Sequence, residues 1–331
     1  MKKDTKIWLI ILASVVVYLV MCIYADFGKL TTAISNFYWP YLFILFALTT
    51  ANYLLRFIKW DYFLKKAGIH MPLKENLFVF ASGLSMIITP GKIGEIWKAW
   101  LIKDIEGTER SKTIPVVIIE RITDVLGLVI LSLAGAIYYK QNLLLILVFP
   151  TIILIFASAI KSKPISKLII SKLESKTGKY AENIKTMHKT FQKTLEPKGM
   201  IAMSILSAVA WLFECIGLYL VILGFGHYTS MLHATFIFSF ASLAGAISML
   251  PGGLGVAEAT IFTILQLNNI PAATSVGIAI ITRLGTLWYG ALMGIIIYLT
   301  FKKKYHKIKT KTEQDNKTYL KTKQTINHLY A

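Results

Sequence analysis

The chain has 331 residues, 55% of them hydrophobic and only 16% charged, where soluble domains carry about a quarter charged. With a mean hydropathy of +0.60, that composition excludes a soluble globular enzyme and a disordered chain. The net charge of +19 comes from 36 Lys and Arg against 17 acids; it fits positively charged cytoplasmic loops and anionic lipid rather than nucleic acid.

The apolar run from Ile7 to Ile23 follows MKKDTK and is not followed by an A-x-A cleavage site, so it reads as a first transmembrane helix. A second span is expected over roughly 38–58, ending in Arg56, Lys59, Lys65 and Lys66. The apolar stretch 76–89 is too short to cross a bilayer and stops at Pro90-Gly91, after which IGEIWKAWLI follows. Two short halves around such a break describe a re-entrant hairpin. A full span is expected from near Ile114 to Tyr139, with Pro115 in its first turn, and another over 143–160.

Residues 161–198 are polar, with ten Lys against three Glu, and carry two apolar stripes separated by Gly178. The second stripe is Tyr180, Ile184, Met187, Phe191 and Leu195. Basic amphipathic helices on the membrane surface fit this pattern, and packing against other loops is the alternative. A span over 200–223 follows. Then Met231–Leu250 is interrupted by Pro251-Gly252-Gly253, with a short apolar half at 256–267 and a last span over roughly 272–300. The tail, 301–331, is Lys-rich and expected to be a disordered basic cytoplasmic segment.

The expected fold is therefore an all-α polytopic membrane protein. It has about six full transmembrane helices plus two re-entrant hairpins in one transmembrane domain, 1–300. With both termini cytoplasmic, 30 of the 36 basic residues fall inside, which fits insertion in the cell membrane.

The two broken segments resemble each other. Ser85–Glu95 reads SMIITPGKIGE and Ser248–Glu258 reads SMLPGGLGVAE. Arg121 follows Pro90 by 31 residues, and Arg283 follows Pro251 by 32. Each unit is thus a span, a broken hairpin and an Arg-bearing span, over roughly 38–139 and 200–300. On the topology above the units are inverted, an arrangement found in transporters with a midplane site.

Breaking a helix in lipid frees backbone groups that protein or water must satisfy, so the breaks imply a polar cavity. The helix start after each break favours an anion, and Gly91, Gly94, Gly252, Gly253 and Gly255 permit close backbone approach. Charged residues within membrane segments mark function. Here they are Lys92, Glu95, Lys98, Glu120, Arg121, Asp124, Glu214, Glu258 and Arg283. Arg121 and Asp124 lie one turn apart and can pair. Arg283 needs a partner from elsewhere, with Glu258 or Glu95 as candidates. Glu214 is read as a protonated core residue or part of a proton pathway. Lys98 reads as snorkelling, and Trp97, Trp100, Trp211 and Trp288 as packing or interface anchors. The site expected to hold a lipid headgroup comprises Pro90, Gly91, Lys92, Gly94, Glu95, Glu120, Arg121, Asp124, Glu214, Pro251, Gly252, Gly253, Gly255, Glu258 and Arg283.

PGKIGE at 90–95, ERITDVLG at 120–127, PGGLGVAE at 251–258 and the Arg283 span together resemble the lysylphosphatidylglycerol synthase transmembrane region, a flippase-like membrane family. The resemblance covers nearly the whole chain. In bacterial multiple-peptide-resistance proteins that region is joined to a soluble aminoacyl-transferase domain. These 331 residues contain no such domain, so the resemblance implies a lipid-handling membrane unit and not the synthase activity.

No Walker A motif, HExxH, Cys/His metal spacing or GxSxG elbow is present. No metal, cofactor or catalytic residue is expected, and the chain reads as a non-enzyme. The leading function is binding and translocation of an anionic or polyprenyl-linked lipid headgroup. The alternatives are an intramembrane lipid-modifying transferase and a non-catalytic membrane subunit serving a separate glycosyl or aminoacyl transferase. Membrane lipids are the expected partners, and the oligomeric state is not legible.

Overall fold

The computed structural model describes residues 16–139 and 181–302. The expected span at 143–160, the start of the N-terminal run, the first stripe of the 161–198 loop and the tail beyond 302 lie outside the described residues. Within them the chain is helical, with no strand.

Helix α1 (Val16–Tyr24) turns through 93° into α2 (Phe27–Ser35). Asp26 makes this corner: its carboxylate accepts the backbone N–H groups of Gly28 and Lys29 at 3.1 and 3.4 Å, which caps α2. Helix α3 (Pro40–Lys66) has Pro in its first turn, where the missing N–H is no loss. Then come α4 (Leu73–Leu84), a 3₁₀ turn (Ile93–Ile96), α5 (Trp97–Glu106) and α6 (Arg110–Tyr139). The second half holds α7 (Ala181–Thr194), α8 (Pro197–Gly224), α9 (Met231–Ile247), α10 (Val256–Leu267) and α11 (Ala272–Lys302). Among the described residues α3, α8 and α11, with 27, 28 and 31 residues, are both long and apolar enough to cross a bilayer, since about 20 residues suffice. Helix α6 has 30 residues and carries its charges in its first half.

Two expectations about boundaries are corrected. Helix α3 continues to Lys66, so Arg56 and Lys59 lie inside it, and their side chains are 2% and 0% exposed. They leave the cytoplasmic tally. Helix α6 starts at Arg110, which places Pro115 beyond its first turn.

The apolar edge of α7 packs on the protein. Phe191 and Leu195 are buried in the core that α3, α4 and α6 share, while Lys185, Lys189 and Lys193 point outward. For Phe191 and Leu195 the partner is protein, the alternative named for this segment. An apolar stripe needs only an apolar partner, and here α6 supplies it.

Two short-helix hairpins, α4–α5 and α9–α10, each fold back on themselves. Their tips meet in an antiparallel bridge between Pro90 and Pro251. Asn76 on α4 fastens the first hairpin to α3. Its Oδ1 accepts Trp60 Nε1–H at 2.8 Å and its Nδ2–H₂ donates to Asp61 at 2.7 Å. In the second hairpin Gly253 has φ 67°, and a Cβ there would stand 2.9 Å from Gly245 Cα.

The core is two large apolar clusters along the long helices and a small third around Leu30 and Val276. One takes Leu45 of α3, Leu128 of α6, Leu218 of α8 and Ile278 of α11. The other takes Phe63 of α3, Val117 and Ile119 of α6 and Ala291 of α11. Along α6 and α11 the charged residues Glu120, Arg121, Asp124 and Arg283 fall between the two large clusters. Helix α6 meets α8 closely at Gly127, where a Cβ would stand 2.7 Å from the Ala208 backbone nitrogen. Backbone cannot rotate away as a side-chain end does. Gly127→Val should therefore destabilise the fold by about 1–3 kcal/mol, read as a lower melting temperature of the detergent-solubilised protein.

Candidate functional site

Each hairpin break is built by its own sequence. At the first, Gly91 and Lys92 both take positive φ, 55° and 56°, rare for a lysine and a recurrent feature of functional turns. Thr89 stabilises the bend by accepting Gly94 N–H at its hydroxyl, 2.8 Å, and Lys92 N–H at its carbonyl, also 2.8 Å. At the second, Gly252, Gly253 and Gly255 all have positive φ. Glu258 reaches back to accept Gly255 N–H at 2.8 Å, capping α10.

Behind the first break stands a buried network of four cations and three acids. Lys98 Nζ contacts Glu120 at 2.6 Å and Glu95 at 3.2 Å, and lies over the Trp60 ring at 4.2 Å. It is 1% exposed, so the snorkelling expectation is corrected. Arg121 meets Glu95 at 3.1 Å and Asp124 at 3.0 Å, and also pairs with Glu120. Lys59 pairs with Asp124 and donates to Ser207 Oγ at 2.7 Å and to the Glu120 carbonyl at 3.2 Å. Arg56 is held at longer range, and like Arg121 it has two nitrogens without a hydrogen bond. Its nearest carboxylate oxygens, on Asp124 and Glu120, are 3.6 and 3.8 Å away, and its Nε and Nη2 make no hydrogen bond.

The second break has a simpler arrangement. Arg283 donates to Glu258 at 2.8 Å and to the carbonyl of Gly252. Tyr18 donates to Glu258 at 3.3 Å and accepts Trp288 Nε1–H at 3.0 Å. Thus Glu258 is the partner of Arg283, and Glu95 serves Arg121 and Lys98. Helix α11 then passes through a π-helical turn, Leu284–Trp288, a distortion that often accompanies function. Helix α3 satisfies it: Thr49 donates to the Gly285 carbonyl at 2.9 Å and Tyr53 to that of Thr286 at 3.1 Å. Arg283→Lys keeps the charge but cannot hold carboxylate and carbonyl at once. A loss of about 1–2 kcal/mol in thermal stability is expected.

Both clusters face one central cavity of about 250 Å³. Its charged wall is Arg56, Lys92, Arg121, Asp124, Glu214 and Arg283, and its apolar wall includes Val125, Leu128, Phe238, Met249, Leu250 and Leu287. Gly91, Gly252 and Gly253 also line it; Gly94, Glu95, Glu120, Gly255 and Glu258 stand behind as supports, and Pro90 and Pro251 form the tip bridge. Trp211 was expected to be packing. It lines the cavity, with Arg56 at 5.6 Å and Lys92 Nζ at 5.2 Å from its ring centroid. Arg56 also lies 5.6 Å from the Tyr53 ring centroid.

Arg56 and Lys59 are the charged residues the sequence reading missed. Thr49, Asn52, Arg56 and Lys59 fall on one helical face and are all buried. That polar stripe inside an apolar span was the available signal.

Long apolar helices, buried ion clusters and broken hairpins define an integral helical membrane protein. The chain belongs to the lysylphosphatidylglycerol synthase TM region family, whose model matches residues 10–294. It is 25% identical over 317 residues to a UPF0104 membrane protein of Methanothermobacter thermautotrophicus, covering 86% of this chain and 90% of that one. A UPF0104 membrane protein of Methanocaldococcus jannaschii is 22% identical over 334 residues, covering 93% and 99%. One of Pyrococcus horikoshii is 24% identical over 329 residues, covering 90% and 98%.

Proposed function

We propose that the central cavity binds the anionic headgroup of a membrane lipid and carries it across the bilayer, in the manner of a flippase. The observation behind this reading is Arg56. A guanidinium 2% exposed, facing a cavity and lacking hydrogen bonds on Nε and Nη2, is costly to leave unsatisfied. A phosphate in the cavity supplies a closer anionic partner than Asp124 and Glu120, which stand 3.6 and 3.8 Å from those nitrogens. Lys92 lies over the same Trp211 ring and has no carboxylate within ion-pair distance among the described residues. Arg121 and Arg283 flank the site but already have acid partners, so they position the cavity and add field.

The apolar wall gives the substrate its second half. Met249 and Leu250 line the cavity and are 53% and 44% exposed, which offers a route for a lipid chain to remain in hydrocarbon while its headgroup enters. The volume is below the roughly 300–1,000 Å³ of pockets that enclose drug-sized ligands, which suits a headgroup alone.

The two hairpins, meeting at Pro90 and Pro251, fit inverted repeats whose broken tips share a midplane site. In this reading the protein sits in the cell membrane with both termini cytoplasmic, and its partners are anionic lipids.

Reconstitution tests the reading. Wild-type protein in liposomes should move a fluorescent phosphatidylglycerol between leaflets faster than empty liposomes, and without altering it chemically. Movement at the empty-liposome rate, or conversion of the lipid to a new product, contradicts the proposal; conversion favours the transferase alternative.

A further inference from the structure

Glu214 is the charged group of the cavity wall that the headgroup reading leaves without a task. It lies in α8, is 4% exposed, and lines the cavity. It makes no hydrogen bond or ion pair among the described residues. The groups around it come from every neighbouring element. Helix α3 brings Tyr53 and Arg56, the first break Lys92, helix α6 Arg121 and Asp124, and helix α11 Arg283. Its chain neighbour Cys215 is buried beside it. Helix α9 brings Phe238 and Ser242, and α10 brings Ala257 with Glu258 behind it on Arg283.

Two anions then compete for one set of cations. In the empty cavity Arg56, Lys92 and Arg283 are the cations that surround Glu214. A headgroup phosphate draws the same cations to itself and places a second negative charge in a small, poorly hydrated space. Like charges at such range oppose joint ionisation. A proton on Glu214 removes the conflict.

Resting on the headgroup reading above, we infer that Glu214 takes up one proton when an anionic headgroup enters the cavity and releases it when the headgroup leaves, so that lipid and proton are co-substrates. The balance is simple. The carboxylate becomes a carboxylic acid, no other bond changes, and a monoanionic headgroup plus a proton adds no net charge to the cavity. Linkage fixes the pH dependence: binding that takes up a proton weakens as pH rises.

The test is titration calorimetry of the full-length detergent-solubilised chain with dihexanoyl phosphatidylglycerol, a phosphodiester whose charge is constant from pH 6 to 8. Two buffers of different ionisation heat give the proton count directly. Wild type should take up a measurable fraction of a proton per lipid within this range, with affinity falling by up to about tenfold per pH unit. Glu214→Gln should bind with clearly less proton uptake and a flatter pH profile than wild type. Binding by wild type without proton uptake, or the same uptake in Glu214→Gln, overturns the inference and leaves the headgroup reading standing. An inorganic phosphate arm separates the sources. Heat with phosphate and none with the lipid assigns the cavity to free anions, and no heat with either removes the site; both outcomes overturn the headgroup reading and this inference with it.

Discussion

Asp124→Asn should cost the fold about 3–5 kcal/mol, the range for breaking a buried ion pair on one side. Asp124 pairs with Lys59, meets Arg121 at 3.0 Å and stands 3.6 Å from Arg56 Nε. The amide keeps the shape but removes the charge, leaving those buried cations with Glu95 and Glu120 only. Lys59 is 0% exposed and cannot reach water without opening the contact between α3, α6 and α8. The expected result is a sharp fall in folded yield and melting temperature, by fluorescence-detected size exclusion. Removing both partners with apolar side chains of similar size, Lys59→Met with Asp124→Leu, should recover part of that loss, because the pair's mutual attraction is set against its desolvation. A single Asp124→Asn variant as stable as wild type contradicts this account of the network.

Arg56→Gln should do the reverse. Arg56 contributes little to the network, since its nearest acid contacts are longer than hydrogen bonds. The network also holds more cations than acids, so losing one is tolerated. A stability change below about 1 kcal/mol is expected, mainly from lost stacking between Tyr53 and Trp211. Affinity for an anionic lipid should fall by about 2–5 kcal/mol, thirtyfold or more, the range for removing one partner of a buried charge contact. Equal losses of stability and binding would mean that Arg56 is only another member of the network.

How much of this was legible in the sequence depends on how local the signal is. The Pro-Gly breaks were legible because Pro and Gly act on their own backbone, and the structure brings both breaks to one point. The Arg283–Glu258 pair was among the candidates named, because both residues belong to one unit. The first network was only half legible. Glu95, Arg121 and Asp124 announced themselves as charges in apolar segments. Arg56 and Lys59 follow an apolar run and precede Lys65 and Lys66, so they read as the basic end of a span. What hides them is that α3 runs on to Lys66 and that Lys59 finds its partners, such as Ser207, on other helices far along the chain. The docking of α7 was likewise beyond reach, because an amphipathic stripe does not say whether lipid or protein covers it.

The central claim is that Arg56 and Lys92 hold an anionic lipid headgroup in the cavity. Native mass spectrometry of wild type and of the Arg56→Gln, Lys92→Gln double variant, each purified from membrane, tests it most directly. Wild type should retain anionic phospholipid and the double variant should lose it, with both proteins equally folded. Anionic lipid retained by the double variant at wild-type stoichiometry would contradict it.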